Sequence, residues 1–386
     1  MSQGTGTPKV TVAVASGNLQ RQVQVLDGVA GIVGTSATKI GQIVTVFNYD
    51  DAVSKGFTVI AEPFLNKAIQ LFYQELGGNQ ALTILGVEDT MTLTEMVTST
   101  NANGLKKLLN AAQGAITMVG LIRDPAIAYT MVAGQFLDND VEDALLASKT
   151  LGQYQQSINK PVRMLIEGRI NDLAVAPFAP NTVENGFAGV VLSSNAADGS
   201  SASGVALALA RAVKYGSHVK IGSGQNGALT ISQAYIGDKT VEEYFPEELD
   251  AFANSGYIIM HRRDGAAGYY FARDNMATAD DFKILVHGRV IDKAQRVAVA
   301  TATPLLETTV RVNEDGTIND ADAKYLETTI KQQLDSLLAG QVSATDVNVP
   351  TDANIINTST GGIEVLVLPL GYLTWIKVTI GLTANI

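Results

Sequence analysis

The 386-residue chain contains no cysteine, three histidines and a single tryptophan. Without cysteine it has no disulfide staples, thiolate nucleophiles or Cys-based metal sites, a composition that fits a reducing compartment. His218, His261 and His287 lie far apart and share no ligand spacing, so each reads as a packed or surface histidine rather than a metal ligand. Charge is scarce: 17 % of residues are charged against 46 % hydrophobic. That balance describes a globular chain with large buried or partner-facing surfaces, long enough for two or three domains. The formal net charge of −11 argues against nucleic acid as a direct ligand. No charged segment followed by an apolar core opens the chain, so no secretory signal is expected. The longest apolar stretch, Val365–Ile376, is about half the ~20 residues of a spanning helix and contains Pro369 and Gly371. Direct membrane insertion is not expected.

Catalytic signatures are missing as well. There is no G-x-S-x-G elbow, no Walker P-loop and no H-E-x-x-H. Gly222-Ser-Gly-Gln-Asn-Gly227 does match G-x-G-x-x-G, and Glu247 and Glu248 lie near the offset of a ribose-binding acid. A dinucleotide site would also need a helix opening at the third glycine. The following residues, Gly227 to Gly237, are β-branched and glycine-bounded, which favours a plain loop. The acidic turn from Asn313 to Asp320 lacks the spacing and closing glutamate of a calcium loop. Asp138-Asn-Asp140 and Asp280-Asp281 are most simply solvated loops. No catalytic residue, metal ligand or cofactor is assigned; the chain reads as structural, with a cofactor-binding α/β enzyme using Gly222–Gly227 as the rival.

What is present is alternation. Strands are expected at Gly28–Gly34, Gly41–Phe47 and Ala81–Val87, with a helix from Pro63 to the Gly77-Gly78 stop. Leu65, Ile69, Phe72, Tyr73 and Leu76 form its apolar face. Helices at Leu105–Gln113, Val141–Ser157 and Ser203–Tyr215 interleave with strands at Ala115–Leu121, Val162–Glu167 and Gly189–Ser193. This is an α/β region with a parallel or mixed sheet. From Tyr257 the pattern shifts to strands at Tyr257–His261 and Gly268–Phe271, a helix over Phe282–Arg296, an extended Leu305–Val312 and a turn at Asn313–Gly316. A helix over Asp320–Ala339 follows, with Leu326, Ile330, Leu334, Leu337 and Leu338 on one face and an expected Glu327–Lys331 pair.

Both ends are strand-forming. Val10, Val12 and Val14 alternate near the amino end, followed by Val23 and Val25. At the carboxyl end two apolar runs, Ile363–Leu368 and Leu373–Ile380, flank a bend at Pro369–Gly371, and the second run holds Trp375. An unpaired apolar strand edge is a template for association, so such ends point to self-assembly. A surface array or another shell would use them as readily as a tube.

The order of segments adds a family resemblance. Gly28–Ala37, Gly41–Val46 and Asp50–Phe57 precede a helix closing as Phe72-Tyr-Gln-Glu-Leu-Gly-Gly-Asn79, which runs into Ala81–Val87. Later come Gly256–Gly265, Gly268–Asp274 and Asp280–Arg289, then the Asp320–Ala339 helix and the terminal strands. From about residue 28 to 380 this order resembles contractile tail sheath proteins of phages and related injection machines. Tyr269 and Tyr270 stand where the family often has tryptophan, and residues 88–200 match only in alternation. The resemblance implies a mixed-sheet α/β outer region (28–255), a C-terminal α+β assembly domain (256–360) and strand-forming terminal arms (1–27 and 361–386). It also implies stacked rings of identical subunits around an inner tube protein, with baseplate and tail terminator proteins as further partners. Assembly would take place in the bacterial cytoplasm, into a virion tail or phage-tail-like particle. The implied inter-subunit strand residues are Val10, Val12, Val14, Val23, Val25, Ile363, Val365, Val367, Leu373, Trp375, Lys377, Val378 and Ile380. Lys324 and Lys331 would face the tube, with a solvated lysine face as the plain alternative.

Overall fold

A computed structural model of the chain describes residues 28–377. The first strand, β1 (Ala30–Thr35), is buried along its whole length, as expected for an apolar run covered on both faces. It is followed by β2 (Ile43–Val46), a short helix α1 (Tyr49–Ser54) and α2 (Pro63–Leu76). α2 starts and stops where the sequence predicts. Pro63 occupies the first turn, where its missing N–H is no loss, and Gly77 takes the left-handed conformation that ends the helix.

The alternation continues through β3 (Leu82–Val87), α3 (Leu93–Val97), α4 (Leu105–Ala112), β4 (Met118–Ile122), α5 (Asn139–Ser157), β5 (Arg163–Glu167) and β6 (Ala188–Val191). Next come β7 (Ser193–Ser194), α6 (Ala202–Lys214), β8 (Tyr235–Ile236), β9 (Lys239–Thr240), α7 (Pro246–Ser255) and β10 (Tyr257–Ile258). Seven strands form one sheet in the order β10-β6-β5-β4-β1-β3-β2, while β7, β8 and β9 make a small separate one. Every neighbouring pair in the large sheet is parallel except β2 with β3. Helices cover both faces: a side chain placed at Gly31 would meet Leu108 of α4, and one at Gly34 would meet Leu65 of α2.

The expected strand Tyr257–His261 is two strands. β10 completes an edge of the large sheet, and β11 (Met260–Arg263) turns away to pair with β12 (Ala266–Phe271) in an antiparallel hairpin. After it come α8 (Leu285–Ala302), α9 (Asp320–Leu337), β13 (Val342–Asn348), α10 (Ile355–Thr358) and β14 (Glu364–Pro369). The expected extended segment Leu305–Val312 is instead a tight turn and loop, with Leu306 exposed and a lone bridge from Val312 to Ile318. Among the described residues no neighbouring strand offers it a ladder.

Two principal cores result. The larger gathers residues from Ala30 to Leu285, and the smaller is built by Ala294, Val297, Ile330, Leu334, Leu338 and Val347. The packing boundary therefore falls inside α8, later than the residue 256 division expected from sequence. The reason is that Tyr257, Ile258, Phe271 and Met276 pack into the core of the large sheet. α8 is fastened to that sheet by Arg163, at the start of β5. Its guanidinium grips the Asp292 carboxylate twice, Nε to Oδ2 at 2.7 Å and Nη2 to Oδ1 at 2.6 Å, and Nη1 donates to the Gly186 carbonyl. Further along α8, Arg296 donates to the carbonyls of Gly114 and Pro161.

Candidate assembly surface

The C-terminal pair of strands is supported from one side and open on the other. β13 and β14 run antiparallel, with Asp346 opposite Leu366 and Val347 opposite Val365. Among the described residues this sheet has only these two strands, so each has one ladder edge with no strand beside it. A two-stranded ribbon is marginal by itself, and α9 gives it a floor. Lys331 Nζ donates to the Thr345 carbonyl at 2.5 Å, and the Thr345 hydroxyl donates to Asp335 Oδ1. Val347, Val365 and Val367 pack toward Ile330, Leu334 and Leu338.

Strand periodicity sends the alternate residues outward. Leu366 is 67 % exposed and Leu368 60 % exposed, with Asp346 and Ala344 opposite them on β13. This places the sequence-predicted residues in different settings. Val365 and Val367 face the protein's own small core, and Ile363 lies just before β14. The apolar side chains this strand presents to solvent are Leu366 and Leu368, which were not among the expected inter-subunit strand residues. Alternation along the run was the available signal, but only α9 decides which alternate set is covered. Val10, Val12, Val14, Val23, Val25, Val378 and Ile380 lie outside the described residues.

On α9 the expected Glu327–Lys331 pair does not form. Glu327 is taken by Lys324, at 2.5 Å, and Lys331 reaches toward β13 and Asp335 instead. Lys324 stays well exposed, whereas Lys331 is partly covered and committed within the chain.

Beyond β14, which ends at Pro369, the chain lies against the α/β body. Tyr372 Oη donates to the His218 carbonyl at 2.7 Å, and its ring sits 5.3 Å from Lys220 Nζ and 6.3 Å from the His287 ring. Burial, assisted by Asp274, pushes the Tyr372 hydroxyl up to about 12. Trp375 lies 5.1 Å from the Arg273 guanidinium yet remains 74 % exposed. Leu373 is more exposed still, and neither it, Trp375 nor Lys377 is in a strand. Between this segment and the body is a cavity of about 700 Å³.

The Gly222–Gly227 loop holds a single 3₁₀ turn, with no strand before it and no helix after it. Its carbonyls are occupied: Arg263 donates to Gly222 O, and Arg211 donates to Gly227 O at 3.0 Å. Gly222 is pressed against the Phe271 carbonyl, leaving no room for even a Cβ. The loop after β1, where a parallel sheet of this kind would receive a phosphate, is filled by the protein's own carboxylate. Glu62 accepts from Ser36 Oγ at 2.7 Å, from the N–H groups of Ala37 and Thr38 at 3.0 and 2.6 Å, and from Thr38 Oγ1 at 2.7 Å. Burial pushes the Glu62 carboxyl up, but these donors together outweigh it and hold the group below its usual range. Among the described residues, no cluster of three or more His, Asp or Glu has metal-site geometry, and no helix is long and apolar enough to cross a membrane.

Comparison with known proteins bears on the whole architecture. Residues 281–386 match the family model described as DUF2586, C-terminal domain. No curated protein matches the sequence. Among solved structures, a chain of the anti-feeding prophage baseplate superposes with a TM-score of 0.62 at 15 % identity, covering 98 % of this chain and 99 % of that one. The sheath complex of an extracellular contractile injection system, PVC, in its contracted state gives 0.62 at 12 % identity, over 100 % of this chain and 99 % of that one. A sheath tail protein from Desulfitobacterium hafniense gives 0.54 at 10 % identity, over 92 % and 100 %. The fold is that of contractile tail sheath proteins, as the order of segments implied.

Proposed function

We propose that this chain is a structural subunit of a contractile tail sheath, polymerising with copies of itself as stacked rings around an inner tube protein. The observation that carries this reading is the β13–β14 ribbon, a supported two-stranded sheet with an open ladder edge on either side. Strand addition at such edges supplies affinity through backbone hydrogen bonds and register through alternate side chains. The added strands would come from the terminal arms of neighbouring subunits: Val10–Val14 with Val23–Val25 at one end, and Leu373–Ile380 at the other. Contacts made head to tail in this way build an open helix rather than a closed pair.

Contraction would then move each subunit largely as a rigid body while the shared strands stay paired. The driving energy would come from surface buried between subunits, with no nucleotide consumed and no catalytic residue or cofactor involved. Baseplate and tail terminator proteins would bound the polymer, and Lys324 on the open face of α9 would be its contact with the acidic side of the tube. Cytoplasmic assembly into a virion tail or a phage-tail-like particle follows from the same reading.

Negative-stain electron microscopy of the purified full chain at high concentration, alongside chains lacking residues 1–27 or 371–386, tests it. Cutting at 371 spares β14, whose Val365 and Val367 belong to the small core. The full chain should form hollow tubes and each truncation should remain monomeric and folded. Tubes from either truncated chain would overturn exchange of the strands that it lacks.

A further inference from the structure

The run that carries Trp375 cannot be in two places at once. In the free chain residues 370–377 are irregular and lie on the chain's own α/β body, anchored by Tyr372 against His218, Lys220 and His287 and by Trp375 beside Arg273. The same residues begin the apolar run Leu373–Ile380 that would have to be extended and laddered to join a neighbour's ribbon. Nothing in the body requires this tail for its core: the large core ends at Leu285 and the small one uses β14 no further than Val367. β14 ends at Pro369, and the residues that follow it leave the ladder for the body.

We infer that residues 370–377 form a latch: in the free subunit Tyr372 and Trp375 hold the C-terminal strand run on its own body, and assembly requires their release. This rests on the strand-exchange reading above, and adds a step to it. Arg273 and Lys220 hold the aromatic rings by cation–π attraction, which is orientation-dependent and weak at an exposed site. Tyr372 contributes the hydrogen bond and the more buried ring, while Trp375 lies largely in solvent. A hold of this kind is breakable, as a latch must be. The competent fraction of free subunits is reduced by the latch, and the apparent elongation rate falls in proportion.

Trp375 is the only tryptophan, so its fluorescence reports the latch directly in the full chain. In dilute, unpolymerised protein, Trp375 is already largely in water, so its mobility is the readout: Tyr372→Ala should lower its fluorescence anisotropy. Tyr372→Phe, which keeps the ring and loses the hydrogen bond to His218, should fall between. Added to preformed wild-type polymer, Tyr372→Ala subunits should elongate about tenfold faster, the equivalent of ~1.4 kcal/mol of latch. Circular dichroism of each variant must match the wild type, which the peripheral position of Tyr372 leads us to expect. Trp375 anisotropy unchanged by Tyr372→Ala would overturn the latch. A freed Trp375 with unchanged or slower elongation would show that the segment does not restrain assembly, and would also overturn it. Absence of polymer from wild type and variants alike would instead remove the strand-exchange reading, and the latch with it.

Discussion

A Cβ on Gly288 would stand 2.7 Å from the guanidinium carbon of Arg163. The residue that lets α8 close on β5 is thus the one without a side chain, and the guanidinium cannot retreat because Asp292 and the Gly186 carbonyl hold it. Gly288→Ala should lower subunit stability by about 1–3 kcal/mol, the usual cost of overpacking. Asp292→Ala should cost more, about 3–5 kcal/mol, because it strands a buried cation. Urea unfolding of dilute protein measures both.

Glu62 should give the protein a distinct acid limb. Its folded-state pKa lies below its ordinary value of 4.5, so the ionised form is the one the fold prefers. That contribution is complete above about pH 4.5 and drains away as pH falls below it, through the lowered folded value. The wild-type urea midpoint should therefore drop between pH 5 and pH 3 more steeply than that of Glu62→Gln. Parallel curves would mean that the β1 loop does not favour the charged carboxylate.

The two lysines of α9 should separate cleanly. Lys324→Ala removes an exposed ion pair and should change stability by less than about 0.5 kcal/mol. Lys331→Ala releases the Thr345 carbonyl and should cost about 1 kcal/mol. If Lys324 meets the inner tube, its charge reversal should weaken co-sedimentation with tubes while leaving the melting temperature alone.

The two sides of the β13–β14 ribbon predict opposite phenotypes. Val347 is almost fully buried, and Val347→Ala should destabilise the free subunit by about 1–2 kcal/mol. Leu366→Lys should leave the melting temperature of the free subunit within a degree or two, since the side chain is mostly in water. It should nevertheless block polymer formation, scored by sedimentation and electron microscopy. Normal polymer from Leu366→Lys would mean that this face is not covered on assembly.

Local signals made the first half of the chain readable. Pro63 and Gly77 bracket α2 to the residue, and runs such as Ala30–Thr35 have only one place to go, a sheet covered on both faces. What escaped was set by distant partners. β13, with Ser343, Thr345 and Asp346, carries little strand signal and exists because β14 and α9 enclose it. The change of sheet between Tyr257 and Met260 has no signature in a five-residue apolar run. On α9, spacing allowed Glu327 two lysine partners, and Lys331 was drawn away by a carbonyl fourteen residues downstream. The same limit applies at the ribbon: periodicity shows that β14 has two faces, and tertiary packing chooses between them.

The placement of α8 has a further consequence. Its first half belongs to the large core through Leu285, and its second half supplies Ala294 and Val297 to the small one. A helix shared in this way ties the two cores together, since bending it would cost its own backbone hydrogen bonds and strain the Arg163–Asp292 pair. A pull on the ribbon would have to reach the seven-stranded sheet through this one rod. Heat should find the same rigidity: melting either core unravels the helix that the other depends on, so the described chain should lose its structure in a single cooperative step.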